Sequence, residues 1–475
     1  MPPALPSGPA NLARAQADFL AILPLIERWA RRACRRLSHF HDREDAVADA
    51  VAEAWALVRP SREPRQRPHV RPRNPTPFPR SHRERGWRGT APRERLSRQP
   101  QPVKGGQIVK VRCRREQLLT ATQLAAAAVP TREVKPFLRN LKTSVAADQG
   151  SILATDLELG LRLRIDGLTV EEPGQALLPA RKVLDILRES PDEELAIEAD
   201  DHACLVRGQQ NEYELPSEDP AHYPDVPTLD GDAHHEVLEG LLRQLIRRTL
   251  FAAATESGRY ALGGCLWELD GNTARLVATD GRRLAVAEAP ATSRGGHAPK
   301  GGLHIVPTKA MQLLERSLHV LDCHVRVSLR PNEALFQAGS ATVYSRLLEG
   351  RYPPWRDVIP KKPATKVPLI VGPFLAAVRQ AAVMADNDSR KVTFTFAEKR
   401  VTLQAQGAET GRSRVELPVD CQGKAIEIAF DPRYIIDMLR ALHPDDELAL
   451  ELTDARSPAL FRLGENYRYV VMPLA

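Results

Sequence analysis

Apolar residues in this chain fall at helical spacing and then switch to strict alternation, and the same switch is written three times. In residues 429–451, Ile435, Met438, Leu439 and Leu442 stand at i, i+3, i+4 and i+7, one stripe along a helix. Further on, Tyr467-Arg468-Tyr469-Val470 alternates as a half-buried strand does. Residues 177–198, LLPARKVLDILRESPDEELAIE, repeat the pattern with Asp185 laid on Asp437, Val183 on Ile435 and Leu187 on Leu439. Residues 304–329 form a looser copy, with Pro307 on Pro179, Lys309 on Arg181 and Arg316 on Arg188. A proline near the first turn starts each helix where a missing N–H costs nothing, and Pro191 or Pro444 stops it. The copies stand about 125 residues apart, a domain-sized period rather than a solenoid repeat.

Shorter repeats agree with that division. ATDLELGLRL from Ala154 and ATDGRRLAVAE from Ala278 are one strand-turn-strand written twice, and LPSEDPAHYPDVP parallels LLEGRYPPWRDVIP as a proline-rich exit from one domain to the next. Each domain reads strand, helix, strands, helix, strands. This predicts an α+β fold of three repeated domains, 106–228, 229–362 and 363–475, each with two helices packed on antiparallel sheets. Ahead of them, residues 1–58 predict a helical appendage, in which Phe19, Leu23, Ile26 and Trp29 mark one apolar face and DREDAVADAVAEAWALV a second amphipathic helix. Residues 59–105 predict a disordered linker: ten prolines and thirteen arginines lie between positions 59 and 103, with almost no aliphatic side chains to offset the entropy of ordering.

Composition changes this picture in one respect. Twenty arginines and ten acidic residues fall in the first 100 positions, a surplus of +10, so with a whole-chain charge of +7 the repeated body carries −3. A protein that coats nucleic acid all round is basic throughout; here any DNA contact in the body is confined to one face. The six cysteines are scattered without a C-x-x-C pair, which suggests neither zinc nor a disulfide framework and points to a reducing compartment. No apolar run approaches the roughly 20 residues that span a bilayer, and the N-terminus lacks the apolar core of a signal peptide.

The chemistry of catalysis is missing: there is no phosphate-binding glycine loop, no H-E-x-x-H, no G-x-S-x-G and no dinucleotide fingerprint. Asp200-Asp201 and Asp445-Asp446 follow the repeated helices and read as solvated turns rather than as a metal site. No cofactor and no metal is expected. What the repeats share is cations on their helices: Arg181, Lys182 and Arg188; Arg247, Arg248, Lys309 and Arg316; Arg379, Arg433 and Arg440. Recurring on a net acidic body, they predict one positive surface that holds phosphates without reading sequence.

PARKVLDILR, ATDGRRLA, EGRYPPWRDVIP and the terminal YVVMPLA, in this order along the three domains, resemble the bacterial sliding clamps, the beta subunits of DNA polymerase III, over residues 107–475. The resemblance implies a non-catalytic processivity factor of DNA replication. Two chains would close head-to-tail into a ring of six domains, with helices lining a hole that encircles duplex DNA. It implies partners as well: the replicative polymerase, the clamp loader and other proteins bearing a clamp-binding motif. Carried over residue by residue, the protein-binding pocket falls on Leu262, Thr279, Gly281, Arg283, Leu284, Pro353, Val358, Val470, Val471, Met472, Pro473 and Leu474. DNA contacts fall on Arg132, Arg181, Arg259 and Tyr260, joined by Lys182, Arg247, Arg248 and Lys309 from the helix pattern, and the dimer contact on Tyr213, Leu215, Val383 and Met384. Arg282 stands where the family often has His, Asp357 where Arg is common, and Ala261 where some relatives carry a second aromatic. The resemblance also implies a cytoplasmic protein at the replicating nucleoid.

Two other function classes compete with this one. Residues 11–58 resemble the core-binding region of extracytoplasmic-function sigma factors, which would make the chain a transcription-associated regulator, but no promoter-reading helix-turn-helix accompanies them. A nucleotidyl-transferring enzyme is opposed by the missing catalytic motifs.

Overall fold

A computed structural model describes residues 108–130, 135–146, 149–229, 231–255, 261–299, 301–320, 322–385, 390–407 and 411–474. The expected helical appendage (1–58) and linker (59–105) lie outside the described residues. Within the described part, nine strands and two main helices recur three times.

The first unit runs β1 (Val109–Arg114), α1 (Arg115–Ala126), β2 (Asn140–Ala146), β3 (Gln149–Thr155), β4 (Leu159–Ile165), β5 (Thr169–Glu172), β6 (Gly174–Pro179), α2 (Ala180–Glu189), β7 (Glu194–Ala199), β8 (Ala203–Arg207) and β9 (Glu212–Pro216). The second runs β10 (His234–Leu238), α3 (Glu239–Thr249), β11 (Gly264–Asp270), β12 (Thr273–Thr279), β13 (Arg283–Pro290), β14 (Thr292–Arg294), β15 (His304–Pro307), α4 (Thr308–Ser317), β16 (His324–Leu329), β17 (Glu333–Ala338) and β18 (Ala341–Arg346), and leaves through a single helical turn, α5 (Trp355–Val358). The third runs β19 (Thr365–Ile370), α6 (Val371–Ala382), β20 (Val392–Ala397), β21 (Arg400–Gly407), β22 (Gly411–Pro418), β23 (Gln422–Gly423), β24 (Ile426–Phe430), α7 (Pro432–Arg440), β25 (Glu447–Leu452), β26 (Ala459–Leu463) and β27 (Tyr467–Val471).

Each unit splits its strands into a set of five and a set of four, and neighbouring units share sheets. The set β14-β10-β16-β17-β18 joins β4-β3-β2-β6 of the first unit in a nine-stranded sheet, and β15-β11-β12-β13 joins β27-β26-β25-β19-β23 of the third in another. At these junctions β18 pairs with β4 and β13 with β27, both antiparallel. The remaining sheets are a five, β5-β1-β7-β8-β9, and a four, β22-β21-β20-β24. Their outer strands β9 and β22 occupy the positions that elsewhere make the junctions.

The repeated helices bury the predicted stripe. Ala180, Val183, Ile186 and Leu187 of α2, and Pro432, Ile435, Met438 and Leu439 of α7, are buried against one sheet face, while Arg181, Lys182, Arg188 and Arg440 stay exposed. Start signals differ between copies: Asp431 caps α7 by accepting from Arg433 N at 3.0 Å, with Pro432 in its first turn, whereas Pro179 stands just before α2. The other sheet face carries two smaller clusters under the exit segments, one around Tyr223 and Val226, the other around Trp355. No helix among the described residues is long and apolar enough to cross a membrane.

Candidate functional site

The turn between β12 and β13 is a framework built from side-chain caps. Asp280 Oδ1 accepts from the backbone N–H groups of Arg282 (2.9 Å) and Arg283 (3.0 Å), while Thr279 Oγ1 accepts from Gly281 N and donates to Arg283 O at 2.5 Å. Gly281 sits at φ +88°, with open space where a Cβ would stand, so backbone conformation rather than room calls for glycine. Across the junction, Leu284 pairs with Val470.

Those two buried residues form the floor of a cavity of about 140 Å³ lined by Thr279, Gly281, Arg282, Arg283, Leu284, Pro353, Trp355, Val358, Val470 and Met472. Its size compares with the roughly 150 Å³ of an apolar cavity that admits benzene. Val358 and Met472 stand 41% and 40% exposed at its mouth, apolar surface that a bound apolar side chain would cover.

The outer wall hangs on one carboxylate. Trp355 Nε1 donates to Glu268 Oε1 at 3.2 Å, Arg356 donates to both oxygens at 3.1 and 2.7 Å, and Arg275 donates to Oε2 at 2.7 Å. The Arg356 guanidinium also lies 4.1 Å over the Trp355 ring. Burial pushes the Glu268 carboxyl up, but the hydrogen bonds from Arg356, Arg275 and Trp355 outweigh it and hold the group below its ordinary range. A one-turn helix has no stability of its own; here Glu268 and the Tyr352 hydroxyl, which donates to Val277 O at 3.0 Å, pin it to the sheet.

The inner wall hangs on Arg283, which donates to Asp280 (3.0 Å), to Asp437 of α7 (2.7 Å) and to Phe251 O (2.8 Å), with its guanidinium 4.8 Å from the Tyr434 ring centre. This ties the second unit to the third directly beside the cavity. The first junction has a counterpart in Lys309, which donates to Asp156 at 2.5 Å.

Of the expected pocket residues, Thr279, Gly281, Arg283, Leu284, Pro353, Val358, Val470 and Met472 line the cavity. Leu262, Val471, Pro473 and Leu474 do not. Val471 follows Val470 on the strand and therefore turns to the opposite, helix-facing core. Leu474 N donates to Ala429 O at 2.8 Å, tethering the tail beside β24, and Leu262 O accepts from Ala254 N. Trp355 was not among the expected residues, and Arg282 was named only as standing where the family often has His; the signal for Trp355 was a second large aromatic, after Tyr352, three positions before Val358.

On the helix face, Arg181 and Lys182 are exposed. Three other expected DNA contacts already have partners: Arg247 pairs with Glu315 at 2.7 Å, Lys309 with Asp156, and Arg248 lies 5.8 Å over the Tyr467 ring. Arg132, Arg259 and Tyr260 lie outside the described residues. Tyr213 and Leu215 are half-buried on the open strand β9, and Val383 (70% exposed) and Met384 follow α6, whose Ala381 carbonyl accepts from Ser413 of the open strand β22. Among the described residues no group of His, Cys, Asp or Glu is arranged to hold a metal.

Residues 109–227, 236–354 and 356–475 match the family models for the N-terminal, central and C-terminal domains of the DNA polymerase III beta subunit. The chain is 32% identical over 368 residues to a beta sliding clamp of Pseudomonas putida, covering 76% of this chain and 98% of that protein. It is 31% identical over 369 residues to that of Escherichia coli, covering 77% of this chain and all of that protein. Among solved structures, a sliding clamp of Pseudomonas aeruginosa bound to griselimycin superposes with a TM-score of 0.71 at 30% identity, covering 78% of this chain and 100% of that one. A Bacillus subtilis clamp gives 0.71 at 25% identity, covering 77% and 99%.

Proposed function

Because the chain belongs to the bacterial sliding clamp family, the beta subunits of DNA polymerase III, we propose that its sheets close into a two-chain ring around duplex DNA and that its pocket is where partners dock. The family is a non-catalytic accessory subunit of the polymerase, binding DNA, polymerase and other clamp-binding proteins as a dimeric ring. The chain is accordingly a processivity factor of DNA replication.

The observation that carries the ring is the unfinished sheet. Two nine-stranded sheets are each completed by a five from one unit and a four from the unit before it, leaving one five ending in β9 and one four ending in β22. A second copy placed head-to-tail completes both, and removes the exposed edges that an open sheet offers to stray pairing. Exposed cations on α2, with others that exchange a carboxylate partner for phosphate, then attract the DNA backbone without sequence preference. A ring that encloses rather than grips slides, and holds a polymerase at high effective concentration at the primer end. The 140 Å³ cavity is apolar at its floor and mouth, which suits Leu or Phe anchors of short peptide segments. The work lies at the nucleoid, in the cytoplasm.

Primer extension on a long single-stranded circle tests the reading. With the cognate polymerase core and loader, and excess competitor primer so that each product reports one binding event, product length is expected to rise at least tenfold when the chain is added. Equal lengths with and without it would reject the function.

A further inference from the structure

The repeat fixes more than which edges meet. The registers of the two internal junctions, transferred position by position, give the register of the third. On β27, Arg468, Val470 and Val471 face Val286, Leu284 and Arg283 of β13; on β18, Thr342, Tyr344 and Ser345 face Arg162, Gly160 and Leu159 of β4. The hairpin pairings equate Glu212, Glu214 and Leu215 of β9 with Arg468, Val470 and Val471 of β27, because Arg207 faces Glu212 as Arg462 faces Arg468, and Cys204 faces Leu215 as Ala459 faces Val471. They likewise equate Gly411, Arg412 and Arg414 of β22 with Arg283, Leu284 and Val286 of β13, because Gln406 faces Arg412 as Thr279 faces Leu284.

Resting on the ring reading above, we infer that β9 of one copy pairs antiparallel with β22 of a second in a register that sets Glu214 opposite Arg412, Tyr213 opposite Ser413 and Glu212 opposite Arg414. These two opposite-charge pairs lie on the outer face of the sheet and select the partner edge.

Three features support the register. Faces agree: Tyr213 and Leu215 pack toward the helix-side core, as does Ser413 through its bond to Ala381 O, so the four charged residues share the other face. All four are exposed. The charges also extend a ladder already present. Lys110 pairs with Glu198 (3.4 Å), Glu198 with Arg207 (3.2 Å), and Arg207 with Glu212 (2.7 Å), strand after strand toward the open edge. The equivalent ladder in the third unit runs Lys366 to Glu451 (3.6 Å) to Arg462 (3.2 Å), and at its junction Arg468 meets Glu288 of β13. There the five-stranded side supplies the cation; at the open edge it supplies Glu212, while the four-stranded side keeps a carboxylate, Glu416, in the place of Glu288 and holds it against Arg414 at 2.7 Å. The sign on the five-stranded side is reversed, so Arg412 and Arg414 of β22 attract β9 and repel an edge of the β27 type, which carries Arg468. Directly opposed charges stabilise a strand pair and like charges oppose it, a means of choosing between edges of the same shape.

The test uses two double variants of the full chain. Glu212→Arg with Glu214→Arg puts four cations at each interface against Glu416 alone; Arg412→Glu with Arg414→Glu puts five carboxylates there, Glu416 among them. Each alone is expected to dimerise at least ~100-fold more weakly than wild type by sedimentation. Mixed one to one, they place cations against carboxylates at both interfaces of the heterodimer, so the two-chain mass should return and fall again in high salt. Dimerisation of either variant alone at wild-type strength, or a mixture that stays monomeric, would overturn the charge pairing. Register is read separately in a Cys323→Ser background: Glu214→Cys with Arg412→Cys should oxidise to a covalently closed ring, and a preference for Glu214→Cys with Ser413→Cys would overturn it, since a one-residue slip flips every side chain to the other face. A wild-type chain that never dimerises would instead reject the ring reading itself.

Discussion

Replacing Arg283 by Met keeps most of the side chain's bulk and removes its fork of donors. The guanidinium side chain is 11% exposed and joins Asp280, Asp437 and Phe251 O between the second and third units. Burial disfavours its charge, yet the Asp437 bond and the neighbouring carboxylates raise its pKa above the ordinary value. Breaking a buried charge pair from one side costs about 3–5 kcal/mol. Two features reduce that figure here. Asp280 keeps its bonds from the Arg282 and Arg283 N–H groups, and Asp437, 37% exposed, rehydrates. The net loss should be about 2–3 kcal/mol. Urea unfolding of Arg283→Met, Asp437→Asn and the pair supplies the measurement, with a coupling of about 1–2 kcal/mol expected for contacting charges. Arg283→Lys should recover less than half of the loss, because an ammonium neither forks between two carboxylates nor stacks flat on Tyr434. Peptide affinity should fall in step, since Arg283 anchors the turn that lines the cavity. Stability of Arg283→Met within about 0.5 kcal/mol of wild type, or additive single effects, would refute this account of the inner wall.

Other consequences are as direct. Deleting residues 472–475 removes Met472 from the cavity mouth and the Leu474 bond to Ala429 O but leaves β27 whole, so calorimetry should show peptide affinity lost by tenfold or more while the dimer mass is kept. Glu268 is held below the ordinary carboxylate range, so its contribution is complete above that range and disappears as pH falls through the lowered folded value; peptide affinity should hold down to about pH 5, and Glu268→Gln should show at neutral pH the weakened binding that acid produces in wild type. Gly264→Ala should destabilise by several kcal/mol, since its Cβ would stand 2.4 Å from the Val306 carbonyl oxygen, whereas Gly271→Ala, with open space at φ +56°, should cost about 1 kcal/mol in a thermal melt. Arg181→Glu with Lys182→Glu should weaken binding to short duplexes uniformly across sequences and flatten the salt dependence.

The helices were legible because a 3.6-residue stripe is a local property: Ile435, Met438 and Leu439 stand as spaced. The α+β plan followed from that stripe alternating with strand periodicity. Sheet sharing was not legible, since alternation tells which face a residue takes but never which strand lies beside it, and β13 meets β27 across 180 to 188 residues. Within the pocket, Val471 was legible as facing away, because strand alternation turns one of two adjacent residues from any face that holds the other. Trp355 and Glu268 come from different elements, and only the fold brings that carboxylate beneath the indole. The ion pair that occupies Lys309 is of the same kind: a cation on an exposed helix face reads as a DNA contact until the turn holding Asp156 is seen beside it.

Topological retention on DNA tests the ring most directly. The labelled chain is loaded by its cognate loader onto a singly nicked circle, excess protein is removed by gel filtration in moderate salt, and half of the sample is cut once. Protein should stay on the closed circle for many minutes and leave the linear product within the mixing time, with blocked ends restoring retention. Equal retention on circular and linear DNA would show that the chain grips rather than encircles, and would contradict the account.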